Sequence, residues 1–357
     1  MQKTIVVTGG CGFIGTNICL HAKERGFRVV AFDSLIRPLS EENLPILKKA
    51  GIEIARGDVR NPQDLERLPG PIHGIIHLGA NPGIPWSINW PIFDFTTNAL
   101  GTLNVLEFSR LNGKFPVIMA STNKIYSEEI NLIPVKAQRK RYVWDFSKIN
   151  KKKVRPTVVS GITKLGVNED FPMDSAGRFP HSPYGASKAT ADLYCQEYHH
   201  IYGIPTVINR MSCIYGLYQK GVEDQGWTDW FVRAKFYNKP LNIYGDGKQV
   251  RDALFGSDVA KLYIKELENI DRVRGHVFNV GGGVKNTISL LEAIDHLNKK
   301  GGKPLKLTFK PWRPADQKIY ISDISKVEKI LGWKPRVGVF EGIDRIWDAY
   351  TNSTNVL

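Results

Sequence analysis

VVTGGCGFIG, residues 6–15, joins a short apolar run to a turn with glycines at Gly9, Gly12 and Gly15. An apolar run of this length reads as a buried strand. The glycine spacing then has a physical use. It permits a tight turn, brings backbone close enough to touch a pyrophosphate, and lets the following helix pack tightly on the strand. The anion would rest on the free N–H groups of the helix start. VVAFDS follows about twenty residues later, and Asp33 ends that run, where a carboxylate accepts hydrogen bonds from the adenine-side ribose of a dinucleotide. A carboxylate there repels a 2′-phosphate, which favours NAD over NADP; Arg37, close behind, carries the opposite charge.

Outward from this turn, apolar runs at 4–8, 28–32, 52–56, 74–78, 116–120 and 206–210 alternate with helical patterns at 15–25, 98–112 and 184–202. Such alternation predicts an α/β fold, a Rossmann-type doubly wound parallel sheet with helices on both faces. Two further runs, 253–255 and 276–280, are expected to extend that sheet. The final third, with WRPADQ, LGWKPR and an amphipathic end, reads as a smaller C-terminal domain packed on it. Residues 128–183 form a long irregular segment, and loops of that length are uncommon unless functional.

The chain has 357 residues, 42% hydrophobic and 24% charged, as in globular proteins. It holds no apolar run near the ~20 residues that span a bilayer. A strand begins almost at once, which leaves no room for a signal peptide before it. Cys11, Cys19, Cys195 and Cys213 lack paired or metal-type spacing, and no metal is expected. Together these predict a soluble cytoplasmic protein. The net charge of +14 is uneven: residues 136–155 carry Lys136, Arg139, Lys140, Arg141, Lys148, Lys151, Lys152, Lys153 and Arg155 against Asp145 alone, or +8. This reads as a local solvated basic loop. With no nucleic-acid module beside it, nucleic acid is not the expected partner.

FPVIMASTNKIYS, residues 115–127, ends a buried strand in Ser121, Thr122, Asn123 and Lys124. In open α/β sheets ligands bind at the carboxyl ends of the strands, so a hydroxyl released there can meet a substrate. HSPYGASKATADLY supplies Tyr184 and Lys188. At i and i+4 they share a helix face, and an ammonium beside the phenol is expected to lower its pKa toward working pH. Thr122, Tyr184 and Lys188 then make an acid–base group suited to a sugar hydroxyl.

With these motifs the chain resembles the extended short-chain dehydrogenase/reductase family over nearly its full length, and within it the CDP-paratose (CDP-tyvelose) 2-epimerases. The resemblance implies that Thr122 hydrogen-bonds the reacting sugar oxygen, that Tyr184 is acid and base, and that Lys188 activates it and holds the nicotinamide ribose. It implies cofactor contacts from Phe13, Ile14, Ser34, Asp58, Val59, Leu78, Gly79, Ala80, Asn98, Ser121 and Met211. STNKIY, DQGW (224–227), GDGKQVRD (245–252) and RPADQ (313–317) resemble the 2-epimerase subgroup. They imply a nucleotide-sugar site containing Asn123, Gln225 and Tyr244, with Arg251 and Arg313 on the diphosphate and Asp316 on the ribose. Arginine suits that place because it is permanently charged and binds phosphate bidentately. The implied domains are 1–208, completed by about 250–280, for NAD, and 209–249 with 281–357 for a CDP-hexose. The helices 98–112 and 184–202 form the dimer contact in similar proteins, so a homodimer or homotetramer is expected.

Three features depart from the family pattern: the proline-rich NPGIPWS (81–87), Cys213 where many relatives have asparagine, and the basic insertion. Related 4,6-dehydratases carry Asp-Glu after the catalytic hydroxyl, the acid and base needed to expel water from a sugar. Asn123-Lys124 lacks both carboxylates, leaving reversible oxidation and hence epimerisation. The alternatives are a UDP-sugar 4-epimerase with the same machinery and a non-catalytic dinucleotide-binding scaffold. Retention of both Tyr184 and Lys188 weighs against the scaffold.

Overall fold

The computed structural model describes residues 2–150, 152–313 and 316–354, with the side chains of 353 and 354 excepted. Lys151 and the PA of RPADQ lie outside the described residues.

Seven strands form one parallel sheet in the spatial order Val277–Val280, Thr206–Met211, Val117–Thr122, Gly74–His77, Thr4–Thr8, Arg28–Asp33, Glu53–Arg56. The chain winds outward from Thr4–Thr8 in one direction, then returns to add strands on its other side. The carboxyl ends of Thr4–Thr8 and Gly74–His77 therefore flank the switch point where such folds bind ligands.

Alternation along each strand divides the core. Ile5, Val7, Ala31, Ile76, Ile118 and Val207 pack beneath the helices Phe13–Glu24 and Gly256–Glu268. Val6, Val30, Ile75, Val117, Met119 and Ile208 face Gly101–Leu111 and Ser182–Tyr202 instead. Each fully buried aliphatic side chain contributes about 1.5–3 kcal/mol, so both faces of the sheet are strongly held.

Of the two runs expected to extend this sheet, only Val277–Val280 does so. Ala253–Phe255 belongs to the strand Val250–Phe255, which pairs with Cys213–Tyr215, Thr287–Ser289 and Ile319–Tyr320 in a second sheet. A short buried apolar run announces burial but carries no mark of its partner strand. This second sheet has its own core, including Tyr215, Phe231, Ile243, Phe255, Ile294 and Ile343.

The segment expected to be irregular is organised. Tyr126, Ile130, Val154, Val158, Ile162 and Phe171 form a separate buried cluster capped by Tyr320. Nor is the basic stretch a solvated loop. Val135–Ala137 and Tyr142–Trp144 pair as a hairpin, whose Tyr142 hydroxyl donates to Asp246 at 2.5 Å and whose Tyr142 N–H donates to Lys248 O at 3.0 Å. Arg141 meets both carboxylate oxygens of Glu292 at 2.7 Å. Lys140 pairs with Asp295, and Arg155 with Glu129 and Asp174. Acids outside the stretch receive Lys140, Arg141 and Arg155, so local charge density gave no sign of docking.

Candidate active site

The phosphate cradle follows from sterics at two glycines. Gly9 has φ +66°, and a Cβ there would meet Gly79 N and Leu78 O at 3.0 Å. A Cβ on Gly15 would stand 2.2 Å from Gly9 O, so only glycine lets the helix Phe13–Glu24 start so close to the turn. No acidic residue occupies the first turn of that helix. Thr8 Oγ1 accepts the N–H groups of Leu78 and Gly79 at 3.1 Å and lies 2.7 Å from His77 Nδ1. Burial, with Lys188 adding to it, pushes His77 down to about 3, so it is a neutral structural brace.

Asp33 closes the second strand. Its carboxylate accepts Cys11 N–H at 3.0 Å and Leu35 N–H at 2.9 Å. Burial raises its pKa, and the backbone donors with Arg37 act against that rise. A cradle with no room for side chains, an acid-free helix start and a carboxylate on the same wall fit an NAD molecule.

One cavity of about 1060 Å³ runs from this cradle into the second lobe. It exceeds the ~300–1,000 Å³ usual for one small-molecule site, which leaves room for a second ligand beside a dinucleotide. Of the residues singled out in the sequence, Gly9, Gly12, Phe13, Ile14, Gly15, Asp33, Ser34, Arg37, Asp58, Val59, Leu78, Gly79 and Ala80 line its cofactor half. Ser121, Thr122, Asn123, Tyr184, Lys188 and Met211 also line it, as do Gln225, Tyr244, Arg251, Arg313 and Asp316. Asn98 does not: it is fully buried behind the wall, donating to Asn81 O and Asp94 and accepting Asn81 N–H. Ser121 reaches the cavity, but its hydroxyl donates to Asp192 at 2.7 Å. Asp192 in turn holds Arg210 at 3.0 Å.

Thr122 ends its strand 7% exposed, its hydroxyl beside the Tyr184 phenol. One expectation is reversed here. Tyr184 is pushed up to about 12, not down: burial dominates, Asp94 adds to it, and Thr122 acts in the opposite direction. Helical spacing does place Lys188 on the same face, but its ammonium turns to the Ala120 carbonyl. Burial lowers Lys188 to about 8, opposed by Cys195, Asp192 and Asp94.

Across the cavity Arg251 pairs with Asp316 at 2.5 Å, and Arg313 with Asp224 at 2.9 Å. The Arg313 guanidinium lies 3.9 Å from the centre of the Tyr244 ring, whose hydroxyl donates to Glu223 at 2.9 Å. Lys124 faces Glu128, Arg251 and Asp316, and burial lowers its pKa. Cys213 lines the same wall, its thiol pushed up to about 11, chiefly by burial, with Trp227 acting against that rise. It is a neutral neighbour of Arg251.

The sequence reading missed the carboxylate behind the trio, Asp94. Its signal was present: Asp94 and Asn98 stand at i and i+4, and Asp94 is the one charged residue between 91 and 106. Among the described residues no group of three or more His, Cys, Asp or Glu could hold a metal, and no helix is long and apolar enough to cross a membrane.

The NAD dependent epimerase/dehydratase family profile matches residues 5–145, and the GDP-mannose 4,6 dehydratase profile residues 149–346. The chain is 35% identical over 353 residues to the CDP-paratose 2-epimerase of Salmonella typhi, covering 96% of this chain and 98% of that one. It is 30% identical to the UDP-glucuronate 4-epimerase of Thermodesulfobacterium geofontis, covering 95% and 94%. Among solved structures, the UDP-glucuronic acid 4-epimerase of Bacillus cereus, in complex with UDP-glucuronic acid and NAD, has a TM-score of 0.77 at 27% identity, covering 98% and 99%. The Thermus thermophilus UDP-glucose 4-epimerase complex with NAD has a TM-score of 0.77 at 26% identity, again covering 98% and 99%. With the glycine cradle and the Thr122, Tyr184 and Lys188 side chains gathered at the switch point, the chain belongs to the NAD-dependent epimerase/dehydratase branch of the extended short-chain dehydrogenase/reductase family.

Proposed function

We propose that the protein is an isomerase that inverts carbon 2 of a CDP-hexose, of the CDP-paratose/CDP-tyvelose or CDP-glucose/CDP-mannose type, through a transient 2-keto sugar. The observation that carries this reading is the strand end itself. Thr122 and Tyr184 meet there, while Asn123 and Lys124 follow where a dehydratase needs a carboxylic acid and a carboxylate. Carbon 2 and the cytosine base are supported by the Salmonella relative.

Direct deprotonation of an unactivated carbinol is disfavoured, since no carbonyl stabilises the carbanion. Bound in the cradle, NAD supplies a hydride acceptor that can return the same hydride. The chain supplies the proton path. Tyr184 takes the sugar hydroxyl proton as the carbon is oxidised and returns it to the ketone oxygen after the sugar presents its other face. Thr122 hydrogen-bonds that oxygen throughout, and Lys188 holds the nicotinamide ribose. Arg251 and Arg313 exchange carboxylate partners for the diphosphate, and Asp316 meets the nucleotide ribose. Residues 1–208 with the returning segment to 280 hold the cofactor, and 209–249 with 281–357 the nucleotide sugar.

The test is CDP-paratose deuterated at C2. Hydride that leaves and returns keeps the label, and reaction in D₂O adds almost none at C2. Product carrying solvent deuterium at C2 rules the mechanism out, and inversion only at C4 of a UDP-sugar transfers the assignment to a 4-epimerase. Incubation with CDP-glucose, which retains its 6-hydroxyl, is expected to give no 4-keto-6-deoxy sugar.

A homo-oligomer built on the helix faces is part of the proposal. Ile92, Leu111, Leu193 and Ile201 are 79%, 68%, 51% and 67% exposed on the segments that precede and follow the site. Large apolar side chains left exposed on helices that pack against one another offer an interaction surface. Light scattering is expected to give a multiple of the 40.2 kDa chain mass, and a monomeric mass removes the inference. All four cysteines are free, which suits a reducing compartment such as the cytoplasm.

A further inference from the structure

The loop after Gly74–His77 and the helix that carries Tyr184 meet at a carboxylate outside the reacting trio. Asp94 is fully buried. Its Oδ1 accepts Asn81 Nδ2 at 2.8 Å and Asn98 Nδ2 at 3.1 Å, and its Oδ2 accepts the Ser187 hydroxyl at 2.6 Å. Asn98 Oδ1 also accepts Asn81 N–H at 2.7 Å, so backbone and side chain of Asn81 are both fixed. The helical segment bearing Asp94 and Asn98 passes through a π turn at Thr96–Leu100, a less stable geometry that recurs at functional sites.

A buried carboxylate is costly, and an apolar side chain of similar volume would fill the space without that cost. The retained charge faces the reacting pair. Ser187 adjoins Lys188, and its Oγ lies 3.1 Å from Tyr184 O. Asp94 acts on both Tyr184 and Lys188 to favour their protonated forms. The other groups around Lys188 are His77 on Gly74–His77, held neutral, and Asp192 and Cys195 on its own helix. Asp192 is ion-paired with Arg210 of Thr206–Met211, whereas the donors to Asp94 are amides and a hydroxyl.

We propose that Asp94 is a positioning residue for the redox chemistry: it ties the Asn81 loop to the Ser187 turn and sets the charge balance of the Tyr184–Lys188 pair. This rests on the reading of Tyr184 as proton carrier and holds for whichever nucleotide hexose is turned over. The test compares Asp94→Asn with wild type in pH profiles of kcat/KM, with CDP-paratose first. The amide keeps the volume, and Ser187 can turn its hydroxyl to Tyr184 O and accept instead. With the charge gone, both limbs of the profile should move to lower pH by roughly 0.5–1 unit, because phenolate and neutral amine are each favoured. Limbs that stay in place while amplitude falls mean a merely structural role and overturn the charge assignment.

Hydrogen exchange on the full chain gives a readout without turnover. Asp94→Ala should speed exchange at residues 79–90 and 182–190 together. Ser187→Ala, which cuts only the tie to the helix, should release 182–190 alone. Unchanged protection in both segments overturns the tie. If wild type leaves CDP-paratose untouched, the substrate reading fails, and the exchange data still decide the role of Asp94.

Discussion

Tyr184→Phe is expected to slow turnover by roughly 10²–10⁴-fold, the usual worth of a positioned acid–base group, while NAD binding is retained. Phenylalanine keeps the ring that fills this buried position and removes only the hydroxyl beside Thr122. The pH dependence separates a proton-transfer role from a packing role. The basic form of the residue is phenolate, and burial holds the phenol up at about 12. The wild-type rate of sugar oxidation should therefore climb as pH rises from neutrality toward the Lys188 ionisation at about 8, whereas the variant should lose that rising limb. Stopped-flow reduction of NAD by the nucleotide hexose at several pH values reads both. A variant within about tenfold of wild type, a loss of only ~1.4 kcal/mol, would remove Tyr184 from the chemistry.

Lys188→Met is expected to reduce turnover by roughly 10²–10³-fold, as for loss of a preorganised charged donor, and to change stability in a pH-dependent way. The amine ionises near 10.5 when exposed and at about 8 in the folded chain. Below the lower value both states hold the proton, and the cost of burying the charge is fully present. Between about 8 and 10.5 the unfolded state binds more protons, so wild-type stability rises with pH. Methionine carries no such cost. Urea unfolding should find the variant most favoured relative to wild type at pH 7, by up to ~3 kcal/mol at ~1.4 kcal/mol per pKa unit. Leaving the Ala120 carbonyl without its donor subtracts ~1–3 kcal/mol at every pH. The variant's relative advantage should therefore shrink toward pH 10. A stability difference that does not change with pH would contradict the burial assigned to Lys188.

The cradle was legible because its chemistry is local. Gly12 and Gly15 are required by backbone contacts to Gly9 within a few residues, Gly9 by its own positive φ, and Asp33 by the end of an adjacent strand. Thr122, Tyr184 and Lys188 were legible as types and spacing, since strand ends in a parallel sheet point to one edge. The ionisation of Tyr184 was not, because it is set by burial and by Asp94, which reaches the site from another helix. Asp94 itself depends on a π turn, which apolar periodicity cannot disclose. The basic hairpin escaped for a related reason: the acids that receive it, Glu292 and Asp295, lie about 150 residues away in the chain.

The strand Val277–Val280 has a consequence for the order in which the protein can be made. It pairs with Thr206–Met211 at the sheet's edge, and the helix Gly256–Glu268 covers the face that also carries Ile5, Val7 and Ile76. A nascent chain that has left the ribosome only as far as the catalytic helix holds most of its sheet, yet still lacks this lid and this edge. Loop-closure entropy delays such distant pairings, and bare strand edges on an apolar face invite aggregation. The vulnerable interval in biogenesis thus spans the synthesis of the entire segment between the two strands. Chaperone demand should peak there, after the residues of chemistry have been made and before the sheet that presents them is closed.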